Sequence, residues 1–246
     1  MLAAIGLLAV VAADMLHRLQ TTRGTFPMFT NPIFGANWDR GFAEWVGYTQ
    51  LAIAALALVC VALRQRRAWT HLVLAATFVW IIADDSFELH ENWGGALSDR
   101  FAIPHMFGVR GHDIGELMAW GLMGLPVLIA LPFAWWFSAA RARRQAWVIV
   151  AGIALIAFFA AGVDMLTQAS YWWGWTDRQR YFLNLAESAG ELASISVIML
   201  SSLWFAFSQG RPRYGRHSVH YRPPADPAAG GSDTPPPARA PRAADR

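Results

Sequence analysis

Long apolar blocks separated by short polar segments are the feature that most constrains this chain. We predict helices over these blocks, at residues 2–17, 42–63, 69–91, 112–137, 146–168 and 183–207. An α-helix needs about 20 residues to cross the ~30 Å hydrocarbon core of a bilayer. Charged residues make up only 15% of the sequence, well below the roughly one quarter found in soluble domains. The sequence therefore predicts an all-α integral membrane protein with a bundle of six transmembrane helices.

The arginines predict how the bundle is oriented. The chain contains no lysine, and its arginines cluster just after the second, fourth and sixth blocks, within 64–67, 141–144 and 211–216. Short cytoplasmic loops carry an excess of positive residues. We therefore predict a multi-pass protein of the inner membrane with both termini in the cytoplasm. No basic residue precedes the first block, which favours a retained helix over a cleaved signal peptide.

The composition changes near residue 210. Residues 210–246 are rich in proline, alanine and arginine, and such a segment cannot bury enough apolar surface to fold. We predict a transmembrane domain over residues 1–209 and a disordered cytoplasmic tail over 210–246. The expected partners are the lipid bilayer and a second membrane protein. Nucleic acid is not expected, because no folded basic face is visible.

Acidic residues recur at the ends of the predicted helices with even spacing. Asp14, Asp84 and Asp164 are 70 and 80 positions apart, and a second series is 72 and 71 positions apart, namely Glu44, Glu116 and Glu187. The pattern is consistent with three repeated helical hairpins. The alternative is that helix ends at a membrane surface become polar without any duplication.

The same acidic residues predict a metal site at the outer side of the bundle. On a continuous third helix, Asp84, Glu88 and Glu91 form one stripe at i, i+4 and i+7, and side chains four apart share a helix face. Mixed carboxylate and histidine ligands suit Zn, Mn or Fe. We predict eight metal ligands, with Asp85 as a candidate proton carrier. The eight are Asp84, Glu88, Glu91, His112, Glu116, Asp164, Glu187 and Glu191.

Three functions fit this pattern. The first is a divalent-metal-dependent membrane enzyme that acts on a lipid or other amphiphile. The second is a cation- or proton-coupled transporter or channel, and the third is a non-catalytic subunit of a membrane complex. A structural alternative is that arginines neutralise the acids, with the candidates Arg100, Arg110, Arg178 and Arg180. Neither a Glu-x-x-His pair nor a His-Glu-x-x-His motif is present, so no known motif chooses between these functions.

Overall fold

The computed structural model describes residues 2–35 and 41–208, with side chains from residue 6 onward. The described residues contain α-helices, two short 3₁₀ turns and one π-helical segment, and within these ranges there is no β-strand. The α-helices are α1 (Leu2–Arg23), α2 (Phe42–Arg64), α3 (Trp69–Ser86), α4 (Leu89–Phe101), α5 (Gly111–Phe137), α6 (Ala140–Ala157), α7 (Asp164–Trp172) and α8 (Asp177–Ser208).

Four helical stretches in the described part of the chain are long and apolar enough to cross a membrane. They are Phe42–Arg64, Gly111–Phe137, Ala140–Trp172 and Asp177–Ser208. Large apolar side chains cover the outer surface of the bundle, as the 81% exposure of Trp136 illustrates, and only a lipid environment accommodates so much apolar surface. The protein is therefore an α-helical membrane protein, as predicted.

The centre of the bundle lies between α2, α3, α6 and α8. Its fully buried side chains include Leu58, Leu74, Phe78 and Ile198. A Cβ atom on Gly152 would lie 2.5 Å from Cγ1 of Ile198, so α6 and α8 approach each other more closely than any larger residue would permit. Small residues at such contacts are how helices pack in a bilayer, where apolar burial alone gives no preference for helix over lipid.

Glycines also join α4 to the first turns of α5. A Cβ atom on Gly115 would lie 2.1 Å from the carbonyl oxygen of Gly94, and one on Gly94 would lie 2.6 Å from the backbone nitrogen of Glu116. The two backbones are therefore in direct contact. This contact holds the polar start of α5 against α4.

The predicted third helix, over residues 69–91, is interrupted. It ends at Ser86, and Glu88 adopts a left-handed conformation with φ 53° and ψ 38° before α4 begins at Leu89. A left-handed residue redirects the chain and ends the helical repeat. The predicted stripe of Asp84, Glu88 and Glu91 is therefore wrong, because its members lie on α3, on the turn and on α4.

The other boundaries differ less. The helix predicted over 146–168 runs from Ala140 to Trp172 and includes a π-helical segment, Phe158–Val163. The first helix continues to Arg23, and the last begins at Asp177. The predicted disordered tail lies outside the described residues.

Candidate functional site

The hydroxyl group of Tyr48 joins α2 to the end of α3. Its oxygen lies 2.9 Å from Oε2 of Glu44, one turn earlier on α2, and 2.6 Å from Oδ2 of Asp85 on α3. Both distances are those of hydrogen bonds between oxygen atoms. The predicted proton carrier Asp85 therefore contacts a tyrosine as well as facing other acids.

The two contacts of Tyr48 can accommodate an additional proton. A tyrosine hydroxyl has one hydrogen and can donate it to one carboxylate only, and an ionised carboxylate accepts but does not donate. The second short contact is a full hydrogen bond when that carboxyl group is protonated and donates to the tyrosine oxygen. A proton on either Glu44 or Asp85 would therefore let both contacts be full hydrogen bonds.

Three more carboxyl groups extend this arrangement from α7 and α8. The charges that act on Glu191 are those of Asp85, Asp164 and Glu44, and those that act on Glu187 are Asp164 and Glu191. Every one of these charges is negative. We refer to the set as the carboxyl cluster, which consists of Glu44, Tyr48, Asp85, Asp164, Glu187 and Glu191.

Local backbone features position Asp164 and Glu191. The π-helical segment Phe158–Val163 ends directly before Asp164 and packs on α8, and a π segment changes the direction in which the following side chains point. A Cβ atom on Gly190 would lie 2.3 Å from the ring of Phe159, so this glycine lets the π segment pack beside Glu191. Such segments within α-helices occur frequently at functional sites.

A second group lies where α3, α4 and α5 meet. Asp84 accepts a hydrogen bond from the backbone N–H of His90 (3.0 Å), and its other carboxyl oxygen is 3.2 Å from Nδ1 of the same residue. Nε2 of His90 is 3.9 Å from Glu91. The imidazole packs edge-on against Trp120, with 5.2 Å between the ring centroids. We call Asp84, His90, Glu91, His112 and Glu116 the histidine cluster.

Each histidine in this cluster has an acidic neighbour. Nε2 of His112 lies 2.9 Å from Oε1 of Glu116. Burial alone would lower the pKa of His90, but the adjacent carboxylate of Asp84, with the charges of Asp85 and Glu91, raises it above its ordinary value. His90 therefore carries positive charge over a wider pH range than a free histidine, and positive charge balances negative charge in the histidine cluster.

An arginine–aspartate pair lies between the two clusters. The backbone and guanidinium N–H groups of Arg110 donate hydrogen bonds to Asp113, which is 1% exposed and caps the start of α5. The carboxylate of Asp113 raises the pKa of Arg110. The charges of Glu116 and Asp164, one from each cluster, also act on this arginine.

Residues 1–205 match the sequence model of a family described as a domain of unknown function, DUF8692. The chain belongs to this family. No curated protein and no solved structure matches it. The DUF8692 match covers both clusters and ends within α8.

The structure divides the eight predicted metal ligands of this DUF8692 member. Asp164, Glu187 and Glu191 belong to the carboxyl cluster, and Glu88 lies in the turn between α3 and α4, where its carbonyl oxygen accepts a hydrogen bond from Asn92. Among the described residues, no group of three or more histidine, cysteine, aspartate or glutamate side chains is placed so that it could hold a metal ion. The remaining four lie in the histidine cluster and are Asp84, Glu91, His112 and Glu116.

Several residues were missed by reasoning from the sequence. Tyr48 follows Glu44 by four positions, a spacing that could have indicated their contact. Asp113 and His90 were not among the predicted site residues, but Asp113 is buried and His90 is largely so. Of the arginines expected to neutralise the acids, Arg110 binds Asp113 and Arg180 binds Asp177. Neither aspartate is one of the eight predicted ligands.

Proposed function

We propose that this protein is a proton-coupled membrane transporter and that the carboxyl cluster is its proton-binding site. The observation that carries the proposal is the hydroxyl of Tyr48, which lies within hydrogen-bond distance of both Glu44 and Asp85. One proton more than the tyrosine supplies is needed to make both bonds. The site thus combines carboxyl groups that can gain and lose a proton with a hydroxyl that can pass it between them.

The charge distribution supports the same function. Carboxyl groups that share a poorly solvated site cannot all be ionised, because like charges repel strongly where the dielectric constant is low. The charges acting on Glu191 are all carboxyl groups, so binding of a proton relieves this repulsion directly. Acidic residues within membrane-spanning helices commonly form proton relays in pumps and transporters.

The proposal includes a topology of six spans in the inner membrane, with both termini cytoplasmic and the carboxyl cluster facing outward. Three repeated hairpins fit one further observation. Each repeated aspartate bonds to a residue four to six positions later: Asp14 to Arg18, Asp84 to His90 and Asp164 to Gln168. The i+6 spacing of the middle pair follows from the turn at Glu88.

Proton transport can be measured in proteoliposomes that contain a pH-sensitive dye. A potassium gradient with valinomycin sets the membrane potential, and the rate of internal acidification reports proton entry. We expect the wild-type protein to acidify the vesicles above the rate of empty ones, and Glu191→Gln to abolish this. Asp177→Asn is the matched control, since it changes an acid on the same helix that is 98% exposed and outside the cluster.

Two outcomes would contradict the proposal. One is wild-type flux equal to that of empty vesicles across several imposed potentials and pH gradients, with candidate co-substrates such as Na⁺ supplied. The other is flux that Glu191→Gln and Asp177→Asn reduce equally. The first result would favour the non-catalytic subunit predicted as the third function, and co-purification with a membrane partner would then be the next measurement.

A metal-dependent enzyme is the second candidate; its ligands would come from the histidine cluster, whose described side chains would have to move to hold a metal ion. Glu116 is 2.9 Å from His112, and the charges of His90 and Glu91 also act on it. A metal ion there would draw in these side chains from α4 and α5. Elemental analysis of the purified wild-type protein and of the Glu116→Ala variant tests this second function. Stoichiometric Zn, Mn or Fe in the wild type that is lost in the variant would support a metal-dependent enzyme. Wild-type protein without metal would exclude it.

A further inference from the structure

A buried polar pair lies at the opposite end of α3 from the carboxyl cluster. His71 is completely buried (0% exposed), and within the described residues neither of its ring nitrogens has a hydrogen-bond partner. Gln145 of α6 acts on this ring, yet its own Oε1 atom is also buried and lacks a partner. Three buried polar atoms on α3 and α6 thus lack a hydrogen-bond partner within the described residues, and Gln145 is near enough to His71 to act on its ring.

Such an arrangement is costly unless something joins the atoms. A buried donor or acceptor without a partner costs about 1–3 kcal/mol, and apolar side chains of similar size would avoid that cost. Buried waters typically bind such groups and make about three hydrogen bonds each. The unprotonated nitrogen of a neutral imidazole and an amide oxygen are suitable partners, because one water can donate a hydrogen bond to each.

The position of the pair relates it to the carboxyl cluster. His71 precedes Asp85 by 14 residues on one helix, which places the two about 21 Å apart along the helix axis. The buried side chains of Leu74 and Phe78 lie between them on α3. Beside His71, Thr70 donates its backbone N–H to Ser138, at the end of the bundle that carries Arg67 and Arg143. The pair therefore lies at the arginine-rich end.

We propose that His71 and Gln145 bind a buried water molecule and together form a second proton-transfer site. The unprotonated ring nitrogen of His71 takes a proton from this water while the other ring nitrogen gives its proton to water at the arginine-rich end, so the imidazole is neutral before and after the transfer. The role of this site in transport rests on the proposed function, whereas the binding of water does not. Within the described residues, Gln145 is the one polar side chain that acts on the ring, so the amide orients the water.

Exchange of the C2 hydrogen of histidine in D₂O, followed by mass spectrometry, tests water access to His71 in the full-length protein in nanodiscs. We expect exchange at His71 despite its complete burial. Gln145→Leu should slow it roughly tenfold, the change in population that corresponds to losing one hydrogen bond. Thr77→Val is the control, since Thr77 lies on the same helix and bonds only to the carbonyl oxygen of Val73; it should leave the exchange at His71 unchanged.

No exchange at His71 in the wild type, or equal rates in Gln145→Leu and the wild type, would overturn the water site. Proton flux into proteoliposomes then tests the role of the His71 site in transport. We expect His71→Phe to reduce this flux at least tenfold and to retain the thermal stability of the wild type. Unchanged flux in His71→Phe would overturn that role even if exchange is observed. If wild-type protein shows no flux at all, the proposed function fails, and the exchange experiment still decides the water site.

Discussion

The carboxyl cluster and the histidine cluster contain similar residues but differ in how their charges are balanced. In the histidine cluster, Asp84 contacts His90, and Glu116 contacts His112. In the carboxyl cluster, the charges that act on Glu191 all come from other acids, and a tyrosine hydroxyl lies between two carboxyl groups. The first arrangement balances charge with protein side chains, whereas we propose that the second balances it with a proton.

This difference explains how one bundle end can hold a fixed region and a titrating region side by side. Ion pairs hold side chains in one geometry, while groups of like charge change state when a proton arrives or leaves. Arg110 and Asp113 lie between the two and are in electrostatic range of both. A change in the contact between Arg110 and Asp113 should therefore affect both clusters.

The largest expected effect comes from separating α4 from α5. In Gly115→Ala the new methyl group would lie 2.1 Å from the carbonyl oxygen of Gly94, and overpacking of this kind costs about 1–3 kcal/mol. Thermal unfolding in detergent should show the loss. Gly124→Ala on the same helix meets no atom within 4 Å and should cost nothing. Equal stability of both variants would show that the histidine cluster does not depend on this contact.

A smaller loss of stability is expected from Asp113→Asn. The change weakens the hydrogen bonds from Arg110 and the cap of α5, and loss of such a cap costs about 0.5–2 kcal/mol. Denaturant titration followed by tryptophan fluorescence measures it. Asp177→Asn, at the exposed start of α8, is the control and should change stability little. A loss of stability as small as that of the control would show that the contact between Arg110 and Asp113 does not stabilise the start of α5.

Neutralising one acid in each cluster should change stability in opposite directions. Glu191→Gln removes one carboxyl group from a set whose members repel one another and should raise the melting temperature. Glu116→Gln removes the partner of His112 and should lower it. Each effect should be about 1 kcal/mol, the size of one polar interaction. Changes of the same sign in both variants would mean that the two clusters are balanced in the same way.

The smallest effect expected is a pH dependence that comes from His90. Its pKa is raised in the folded protein, so protonated His90 stabilises the fold. This contribution is complete below the ordinary pKa of 6.5 and is lost as pH rises through the folded value. The acids that face or act on His90 come from three helices. They are Asp84, Asp85, Glu91 and Glu116. Melting temperatures of wild type and His90→Gln should therefore converge with rising pH; a constant difference would contradict this.

Much of the fold could be predicted from hydropathy because a bilayer requires long apolar helices. The ranges 42–63 and 112–137 agree with α2 and α5 to within one residue at each end. The end of α3 could not be predicted in this way. Residues 86–89 contain neither glycine nor proline, and the left-handed conformation of Glu88 reflects the packing of α4 on α5 rather than a local preference.

Sequence spacing indicated contacts within one helix, but it did not indicate the contacts between helices and it missed Tyr48 and His90. Helical spacing correctly paired His112 with Glu116, because a four-residue spacing fixes neighbours within one helix. Contacts between helices depend on rotation and depth, which spacing does not determine. For that reason Asp164 and Asp84, equivalent in the sequence pattern, belong to different clusters, and the contact of Tyr48 with Asp85 had no sequence signal.

The central claim is that the carboxyl cluster holds a proton. Infrared spectroscopy of the carboxyl groups tests this claim most directly. At neutral pH in D₂O, a protonated carboxyl group gives a C=O stretching band distinct from that of a carboxylate. The account predicts this band in the wild-type protein, its weakening in Asp85→Asn or Glu191→Gln, and no change in Glu116→Gln. Absence of the band in the wild type, or its loss in Glu116→Gln alone, would contradict the account.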